Sequence, residues 1–534
     1  MFVMGACGMI YEYALGVLGN NLMGSSHEQL FVVIGIMMFA MGLGATIQQN
    51  LVKNLIDRFL IVELLLGLFG GISTLIIFWC FAYTDSYRVV MYTFATIIGM
   101  LIGCEIPLLI RINSTYSSSL RTNLSEILSM DYVGSLVGAL LFAYVLLTRL
   151  SVERISLVLG CVNALIGLGG VIYFWRLVKQ RIALITASLA TLALLIFAMQ
   201  KSDDWMARLE QRCFEDPIVH RETTKYQHLV LTKKKDRLRL YIDGHLQFSS
   251  QDEFIYHEML VHTPMSIAEH HERVLILGGG DGLALRDVLR YSGVQHVTLV
   301  DIDQAMIAMA THNPDMIRIN RASLHDARVH TAIPDGISSS STRVVSARTK
   351  RDPILDSTEY AIAEVDVVTV DADLFLRAID QQFDVVLIDF PDPRSIELAK
   401  LYSVPFYKNV SRRLAPHGVI AIQSTSPTDS KHVFSCIRAT LKEAGLKCLP
   451  YHMHVPSFGD WGWHLVWNDE RSDESIKSSI ENLAEIRVET KFVTPDVIKS
   501  SFIFGKNQLQ TDHDVRPNTR LNPVVMHYHS RDHS

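Results

Sequence analysis

The stretch RVLILGGGDGLALRDVL at residues 273–289 decides the fold of the C-terminal part of the chain. A run of Val, Leu and Ile leads into a burst of glycines that contains one aspartate, and apolar residues at helical spacing follow. A strand, a glycine-rich loop and a helix in this order hold nucleotide-like ligands at the edge of an α/β sheet. The sequence thus raises two questions: which ligand this loop holds, and why Asp281 lies in a loop that usually binds phosphate.

Short apolar runs continue the pattern downstream. They are HVTLVDID (296–303), DVVTVDA (366–372), FDVVLIDF (383–390) and GVIAIQS (418–424). Because helical segments separate these runs, they predict a parallel, doubly wound sheet in an α/β Rossmann-like domain of the methyltransferase type. Ahead of the glycine loop, residues 228–250 alternate apolar and polar and predict short antiparallel strands, and residues 252–265 predict a helix.

Apolar residues make up 49% of the chain, and nearly all of the excess over a soluble protein lies before about residue 200. Seven segments are long enough to cross a bilayer as helices: 2–19, 29–47, 59–82, 89–110, 130–148, 155–175 and 181–199. Small residues recur within them, as in GLFGGIS (67–73), and such residues let membrane helices approach closely. The pattern predicts an α-helical transmembrane bundle of about seven spans.

Acidic residues lie within several of these apolar segments. Glu12 and Glu105 are the deepest, whereas Glu63 is close to the start of its segment and is expected at the membrane interface. A buried carboxylate is costly in a membrane, so a site or path for a cation is one interpretation. Polar anchors satisfied by neighbouring helices are the other.

Three parts are predicted along the chain: a helical bundle at 1–200, a strand-rich subdomain at 215–265 and a Rossmann-like domain at 266–534. An insertion at about 331–364 is rich in Ser, Arg and Asp, and it is expected to be a surface loop or a lid. The His-rich tail at 527–534 is expected to be a frayed terminus.

Overall charge and cysteine usage exclude some classes of protein. A net charge of −6 gives no indication of a nucleic-acid binder. The seven cysteines lack the spacing of a disulfide framework or of a zinc site, so we expect no metal.

The glycine loop indicates an adenosine ligand without a pyrophosphate. A dinucleotide fingerprint would have a third glycine where Leu283 stands, which argues against a nicotinamide cofactor. Asp301 ends the next strand, where an acid accepts hydrogen bonds from ribose hydroxyls. Asp281 would attract an amine and repel a carboxylate, so it favours decarboxylated S-adenosylmethionine over the intact form. An Asp that caps the following helix is the alternative.

A second acidic motif, DFPDP, follows the strand at 383–390. Asp389 and Asp392 lie where ligands bind in open α/β sheets, and the prolines hold them on a rigid turn. Two acids there suit a cationic amine, because a carboxylate can both hold the amine and accept its proton. A plain turn with capping acids is the alternative.

Taken together, these motifs resemble the polyamine aminopropyltransferases, the spermidine synthase family. The resemblance covers about 225–427 and rests on YQHLVL, FIYHEM, LILGGGDG, VTLVDID, LIDFPDP and YSVPFYKNVSRRLAPHGVIAIQSTSP. The apolar segments, EIPLL (105–109) and VPSFGDWGW (455–463) resemble the membrane-embedded bacterial branch.

This resemblance implies an activity and a set of roles. The reaction would move an aminopropyl group from decarboxylated S-adenosylmethionine to a polyamine such as putrescine, giving spermidine and methylthioadenosine with no metal. Residues expected at the nucleoside co-substrate are Gln227, Asp281 at its amine, Asp301 at its ribose, and Asp371 and Ala372 beside adenine. Residues expected at the polyamine are Tyr256, His257, Asp392 and the proton acceptor Asp389.

Three positions depart from the family pattern. Asp301 replaces the usual Glu, Leu283 replaces a Gly, and Phe458 stands where a Tyr often completes the amine site. These departures leave the identity of the amine open more than the reaction type.

Two other functions remain open from the sequence: a methyltransferase that uses intact S-adenosylmethionine, and a non-catalytic membrane polyamine sensor or transporter. The resemblance also implies an integral membrane protein, with the catalytic domain in the cytoplasm where the co-substrate is made. Positive charges in the loops weakly favour the opposite orientation. A homodimer is the oligomeric state considered.

Overall fold

The computed structural model describes residues 1–23, 27–84, 86–114, 120–325, 329–331, 363–511 and 514–532. The chain forms two compact units, residues 1–217 and residues 218–534. The first is helical and the second is α/β. The insertion predicted at 331–364 lies almost wholly outside the described residues. The predicted three-part division, with a separate strand-rich subdomain, stays a prediction.

The first unit consists of long helices. They are α1 (Phe2–Met23), α2 (His27–Ile47), α3 (Leu55–Tyr83), α4 (Tyr87–Asn113), α5 (Leu120–Leu141), α6 (Leu147–Arg149), α7 (Val152–Tyr173) and α8 (Arg181–Arg212). A π-helical turn, Phe142–Leu146, joins α5 and α6 into one rod. Seven helices in the described residues are long and apolar enough to cross a membrane, by length and composition. All seven overlap the segments expected from the sequence.

Two helices extend well beyond the apolar segments that predicted them. The fifth begins at Leu120 rather than near 130, and α8 continues to Arg212 rather than ending near 199. The added turns are polar, as in LRTNLSEILS and KSDDWMARLEQR, so hydropathy alone does not reveal them. Helical hydrogen bonding continues past the apolar boundary because nothing in these stretches breaks it.

Helices α3 and α7 pack backbone to backbone. A Cβ atom on Gly67 would lie 2.8 Å from the carbonyl oxygen of Gly160, so no larger residue fits at this crossing without a shift. Close approach of this kind brings neighbouring side chains of the two helices together along their whole contact.

The burial of the acidic residues differs from the expectation. Glu63 is fully buried and Glu105 nearly so, whereas Glu12 is only half-buried. The interfacial position of Glu63 stays a prediction, because burial within the protein does not define a membrane boundary. Glu63 is buried because α3 begins at Leu55, two turns before it, and α7 covers that part of α3.

The second unit opens with a four-stranded antiparallel sheet. Its strands are β1 (Ile218–Thr223), β2 (His228–Lys234), β3 (Arg237–Ile242) and β4 (His245–Ser249), paired in chain order. Helix α9 (Glu253–Ile267) follows. The antiparallel strands and the helix predicted at 228–265 are thus confirmed.

A larger sheet of eight strands forms the body of this unit. The strands are β5 (Arg273–Gly278), β6 (His296–Asp301), β7 (Val329–Thr331), β8 (Glu364–Thr369), β9 (Phe383–Asp389), β10 (Leu414–Gln423), β11 (Lys447–Val455) and β12 (Gly459–Trp467). They lie in the order β11-β12-β10-β9-β5-β6-β8-β7. After β5, the chain first adds β6, β7 and β8 on one side and then adds β9 to β12 on the other side. The sheet is therefore doubly wound, as predicted.

The sheet is mixed rather than wholly parallel. Strands β11 and β12 form a hairpin, and β12 runs antiparallel to β10. Only residues 456–458 connect β11 to β12, and so short a connection permits only antiparallel pairing.

Helices cover both faces of the large sheet. They are α10 (Leu283–Val288), α11 (Gln304–His312), α12 (Pro314–Ile319), α13 (Ala372–Ala378), α14 (Ile396–Ala399), α15 (Val404–Arg412), α16 (Lys431–Glu443), α17 (Asp473–Glu481), α18 (Pro495–Ser501) and α19 (Val524–Asp532). Alternate residues of β5 enter two separate cores: Val274 and Ile276 on one face, Leu275 and Leu277 on the other. Both faces are therefore buried, which explains why β5 reads as a continuous apolar run.

The end of the described chain is ordered, contrary to the expected frayed terminus. Helix α19 buries Val525, and the Asp532 carboxylate accepts a hydrogen bond from the backbone N–H of His432 at 3.0 Å. The apolar residues just before the His-rich stretch anchor it to α16.

Candidate active site

The glycine loop after β5 depends on backbone conformations that favour glycine. Gly278, Gly279 and Gly282 have φ values of 86°, 68° and 79°. A Cβ on Gly278 would lie 2.2 Å from the carbonyl oxygen of Asp389, because the two residues pair at the ends of β5 and β9. The loop therefore passes directly over the carboxyl ends of the central strands, where ligands bind in this sheet type.

Asp301 holds the glycine loop from the neighbouring strand. Its Oδ2 accepts a hydrogen bond from the N–H of Gly280 at 2.9 Å, and its Oδ1 accepts one from the N–H of Asp303 at 2.8 Å. Burial raises the pKa of this carboxyl to about 6, although both backbone bonds oppose the rise. Each carboxylate oxygen has a further lone pair, so hydroxyl groups of a ligand could still donate to it.

Asp281 lies partly buried in the loop itself. Its Oδ1 accepts a hydrogen bond from the N–H of Leu283 at 2.9 Å, the local bond that the capping alternative expects. Burial raises the pKa of the carboxyl, and the positive charge of His257 opposes that rise. The side chain therefore stabilises the turn and also faces the site.

Helix α9 carries the partner of Asp389. The Tyr256 hydroxyl donates a hydrogen bond to Asp389 Oδ1 at 2.5 Å. Burial raises the pKa of Asp389 to about 6, and the nearby His257 opposes the rise. A carboxyl with this pKa is ionised at neutral pH, yet it binds a proton far more readily than an exposed aspartate does.

Aromatic rings enclose the tyrosine. Phe458, Trp461 and Trp463 lie with ring centroids 6.2, 6.4 and 5.5 Å from that of Tyr256. The two tryptophans belong to β12, so the hairpin that makes the sheet mixed also forms a wall of the site. Phe458 supplies no hydroxyl at this wall.

A buried ionic chain supports His257. Its Nδ1 lies 3.0 Å from Glu253 Oε2, one turn earlier on α9, and Arg286 from α10 donates to both Glu253 oxygens at 2.8 and 3.1 Å. Burial alone would lower the pKa of His257, but the bond to Glu253 and the charges of Asp281 and Asp389 raise it to about 9. His257 is therefore a cation that interacts electrostatically with both carboxylates.

Sequence reasoning missed Glu253 and Arg286. Glu253 lies four residues before His257 on a predicted helix, which is the spacing of facing side chains, and that signal was available. Arg286 comes from another helix, and no sequence spacing connects it to Glu253.

The second acid of DFPDP lies deeper than the first. Asp392 is 9% exposed, its Oδ2 accepts from Arg394 at 3.1 Å, and its Oδ1 accepts from Gln423 Nε2 at 3.3 Å. Gln423, which also donates to the Phe390 carbonyl at 2.6 Å, is a further residue that sequence reasoning missed.

Asp371 and Ala372 begin α13 beyond the end of β8. The Asp371 side chain caps this helix by accepting from the N–H of Asp373 at 3.0 Å, and its other oxygen lies 2.5 Å from Lys400 Nζ. These bonds fix the orientation of the carboxylate at the start of α13.

Gln227 lies in the turn between β1 and β2. Its backbone N–H donates to Thr224 Oγ1 at 3.1 Å, and the Thr224 hydroxyl donates to Asp303 Oδ2 at 2.9 Å. This bond fastens the small sheet beside Asp301, two residues before Asp303 in the chain.

The structure thus gathers the predicted residues at one edge of the large sheet. Asp281, His257, Tyr256 and Asp389 interact directly or electrostatically, and Asp301 contacts the same loop. Gln227, Asp371 and Asp392 surround this group on neighbouring elements. Within the described ranges, no three His, Cys, Asp or Glu side chains are grouped as metal ligands would be.

Comparison with known proteins agrees with this geometry. The family model "Spermine/spermidine synthase domain" matches residues 253–347 and 348–478. Polyamine aminopropyltransferase 2 of Ralstonia nicotianae is 36% identical over 538 residues, which cover 100% of this chain and 97% of that protein. Polyamine aminopropyltransferase 1 of Streptomyces coelicolor is 37% identical over 542 residues, which cover 99% and 92% of the two chains.

Two solved structures are also similar. Spermidine synthase from Thermotoga maritima is 19% identical, with a TM-score of 0.42 over 55% of this chain and 87% of that one. A spermidine synthase in complex with the transition state analogue AdoDATO is 20% identical, with a TM-score of 0.43 over 55% and 88%. Because full-length relatives share more than 30% of its residues, the chain belongs to the spermine/spermidine synthase family and is a polyamine aminopropyltransferase.

Proposed function

We propose that the α/β unit transfers the aminopropyl group of decarboxylated S-adenosylmethionine to a diamine such as putrescine, giving spermidine and methylthioadenosine. One observation carries the assignment of roles: the His257 cation interacts electrostatically with two carboxylates, Asp281 in the glycine loop and Asp389 at the end of β9. Each carboxylate suits one ammonium-bearing substrate, and their closeness brings the two substrates together.

The nucleoside lies along the ends of β5, β6 and β8 in this proposal. Asp301 accepts the ribose hydroxyls, Asp281 holds the terminal amine, and Gln227 contacts the co-substrate from the β1–β2 turn. Ala372 and the backbone of Asp371 flank adenine. Gly280 lets the ligand approach Asp301, because even a Cβ at this position would lie 2.6 Å from Asp301 Oδ2.

The acceptor amine occupies the side of the site formed by β9, α9 and β12. Asp392 binds its distant ammonium group, while Tyr256 and the aromatic wall enclose its methylene chain. Burial against rings favours an aliphatic chain, and the carboxylates at both ends favour a diamine over a monoamine.

The chemical step is a displacement at carbon. The lone pair of the neutral amine nitrogen forms a C–N bond to the carbon beside the sulfonium, and the C–S bond breaks with its electrons passing to sulfur. Asp389 accepts the proton that the nitrogen loses. Because the sulfonium is already a good leaving group, orientation and proton removal supply most of the rate enhancement.

Asp281 also explains why the methyltransferase alternative fails at this site. Intact S-adenosylmethionine carries a carboxylate next to its amine, which Asp281 would repel. We expect turnover only when the purified protein receives putrescine with decarboxylated S-adenosylmethionine, assayed as methylthioadenosine and spermidine by mass spectrometry. A methylated amine formed from the intact co-substrate would contradict the proposal.

Asp389→Asn separates the enzyme from a non-catalytic amine sensor. The amide cannot accept the proton, so kcat is expected to fall by about 10²–10⁴-fold. Asp496→Asn is the matched control, because Asp496 is 94% exposed on α18. Unchanged turnover of Asp389→Asn would remove Asp389 from the mechanism.

For the helical unit, the proposal concerns only its insertion and orientation in a membrane. Its seven apolar helices support an integral membrane protein. The catalytic unit is placed in the cytoplasm because the co-substrate is made there. A homodimer also stays a proposal, which analytical ultracentrifugation of the detergent-solubilised protein tests directly.

A further inference from the structure

The interior of the helical unit contains two buried carboxyl groups that approach each other. Glu63 on α3 is 0% exposed and Glu105 on α4 is 2% exposed. The two side chains are close enough to share a hydrogen bond, although each carboxylate is only an acceptor. Both oxygens of Glu63 and Oε1 of Glu105 have no hydrogen-bond donor in the described part of the chain.

Other buried polar groups point into the same interior without partners. The Tyr11 hydroxyl on α1 and the Asn163 amide on α7, 0% and 1% exposed, make no hydrogen bond to any described residue. Tyr11 interacts electrostatically with both glutamates. The Tyr11 ring packs against Gly70, two turns beyond Glu63 on α3, and Asn163 packs against Gly67. The unpartnered groups therefore face one region.

A second pair of unpartnered hydroxyls continues this line. Thr74 on α3 and Ser156 on α7 are each 1% exposed, and neither hydroxyl has a partner in the described residues. Since the two helices run antiparallel with Gly71 against Gly160, Thr74 and Ser156 belong to the same stretch of their contact. Eleven residues separate Thr74 from Glu63, which is about 16 Å along a helix.

Buried polar atoms without partners are costly, and two adjacent carboxylates are costlier still. Within the described residues, the N-terminal amino group contributes a positive charge that acts on both glutamates. The unpartnered oxygens supply acceptors, and the Asn163 amide nitrogen and the hydroxyls of Tyr11, Thr74 and Ser156 can also donate. A primary ammonium group offers three N–H donors and one positive charge, which matches two carboxyl groups and a phenol oxygen.

We propose that the helical unit contains a second amine-binding site, in which an ammonium group of an aliphatic polyamine lies between Glu63 and Glu105 beside Tyr11. The line of polar groups toward Thr74 and Ser156 accepts the further donors of the same extended molecule. This site is separate from the amine site of the proposed function. Loss of this site with the transfer reaction intact can therefore be distinguished from loss of the transfer reaction with this site intact.

The test counts amine sites on the full-length protein in detergent. Without co-substrate, the wild type is expected to bind two equivalents of radiolabelled spermidine, whereas the double variant Glu63→Gln and Glu105→Gln should bind one. Aminopropyl transfer by the same preparations should be unchanged. Glu126→Gln, on the exposed face of α5, is the matched control and should keep both equivalents. One equivalent in the wild type, or two in the double variant, overturns the proposal.

A labelling experiment on the wild type covers the case in which the double variant does not fold. A hydrophobic carbodiimide is expected to modify Glu63 or Glu105, identified by peptide mass spectrometry. Spermidine should protect these residues by tenfold or more. Sodium or potassium chloride at the same ionic strength should not. Equal labelling with and without spermidine contradicts the site, and equal protection by the salts would assign it to inorganic cations instead.

Discussion

Asp389 is a buried carboxyl whose environment matches the task proposed for it. It receives the Tyr256 hydrogen bond, faces the His257 cation and lies at the end of a strand buried on both faces. Its position was predictable from DFPDP, because acids at the end of a buried strand meet ligands in this kind of sheet. The groups that act on it come from α9 and the glycine loop, and such contacts between distant segments exist only once the chain has folded.

The acid limb of the pH profile reports this carboxyl. Burial raises the pKa of Asp389 to about 6, so the ionised form that accepts a proton is lost as pH falls through that value. We expect kcat/KM to be level near neutral pH and to fall about tenfold per pH unit well below 6. The measurement is the initial rate of methylthioadenosine formation in buffers of constant ionic strength. A rate that stayed level down to pH 4.5 would exclude Asp389 as the base.

Glu253 is expected to act as a positioning residue for His257. In Glu253→Gln the histidine loses its carboxylate partner, so its pKa falls from about 9 toward the ordinary value. The alkaline limb of the pH profile should then move down by about one to two pH units. Glu253→Asp is expected to restore much of the original profile. If Glu253→Gln lowered kcat equally at every pH, the role would be structural only.

At the scale of elements, the strand β5 and its glycine loop were the most predictable part of the fold. A continuous apolar run followed by glycines and a helix predicts a buried strand of an α/β sheet, and the structure confirms this prediction. The β11–β12 hairpin was missed, because Pro450 within β11 and Gly462 within β12 interrupt the pattern by which strands are recognised. The burial of Glu63 was missed because the boundary of α3 depends on polar residues that hydropathy ignores.

The glycine loop gives a prediction at this scale. Gly280→Ala places a Cβ 2.6 Å from Asp301 Oδ2, so the loop or the carboxylate must move. The KM for decarboxylated S-adenosylmethionine is expected to rise by about tenfold or more, which corresponds to about 1.4 kcal/mol of binding free energy. The KM for putrescine should change much less. Gly169→Ala is the control, since a Cβ there meets no atom within 4 Å. Equal changes in both KM values would count against a nucleoside-side role for the loop.

At the scale of the whole molecule, one chain joins a helical unit of residues 1–217 to an α/β unit of residues 218–534. Composition separates the two clearly, because apolar segments near 20 residues long are typical of membrane spans and not of soluble helices. Charge in the short loops did not determine the orientation, since the difference between the two sides is only a few Lys and Arg residues.

Membrane insertion and orientation are testable on the intact protein. We expect it to remain in the membrane pellet after an alkaline carbonate wash, because seven apolar helices cannot leave the bilayer as a peripheral protein would. A reporter that works only in the cytoplasm should be active when it is fused after residue 534. A reporter that works only outside the membrane should be inactive at the same position. Release by carbonate would contradict the transmembrane bundle, and a reporter active only outside would reverse the orientation.

The position of His257 has a consequence for how the two substrates bind. A single imidazolium compensates both Asp281 and Asp389, so a cation that arrives at either carboxylate changes the electrostatic potential felt at the other. Thermodynamic reciprocity then requires that each substrate alter the affinity of its partner by the same factor. The binding of one substrate is therefore expected to change the affinity for the other through the charge of His257.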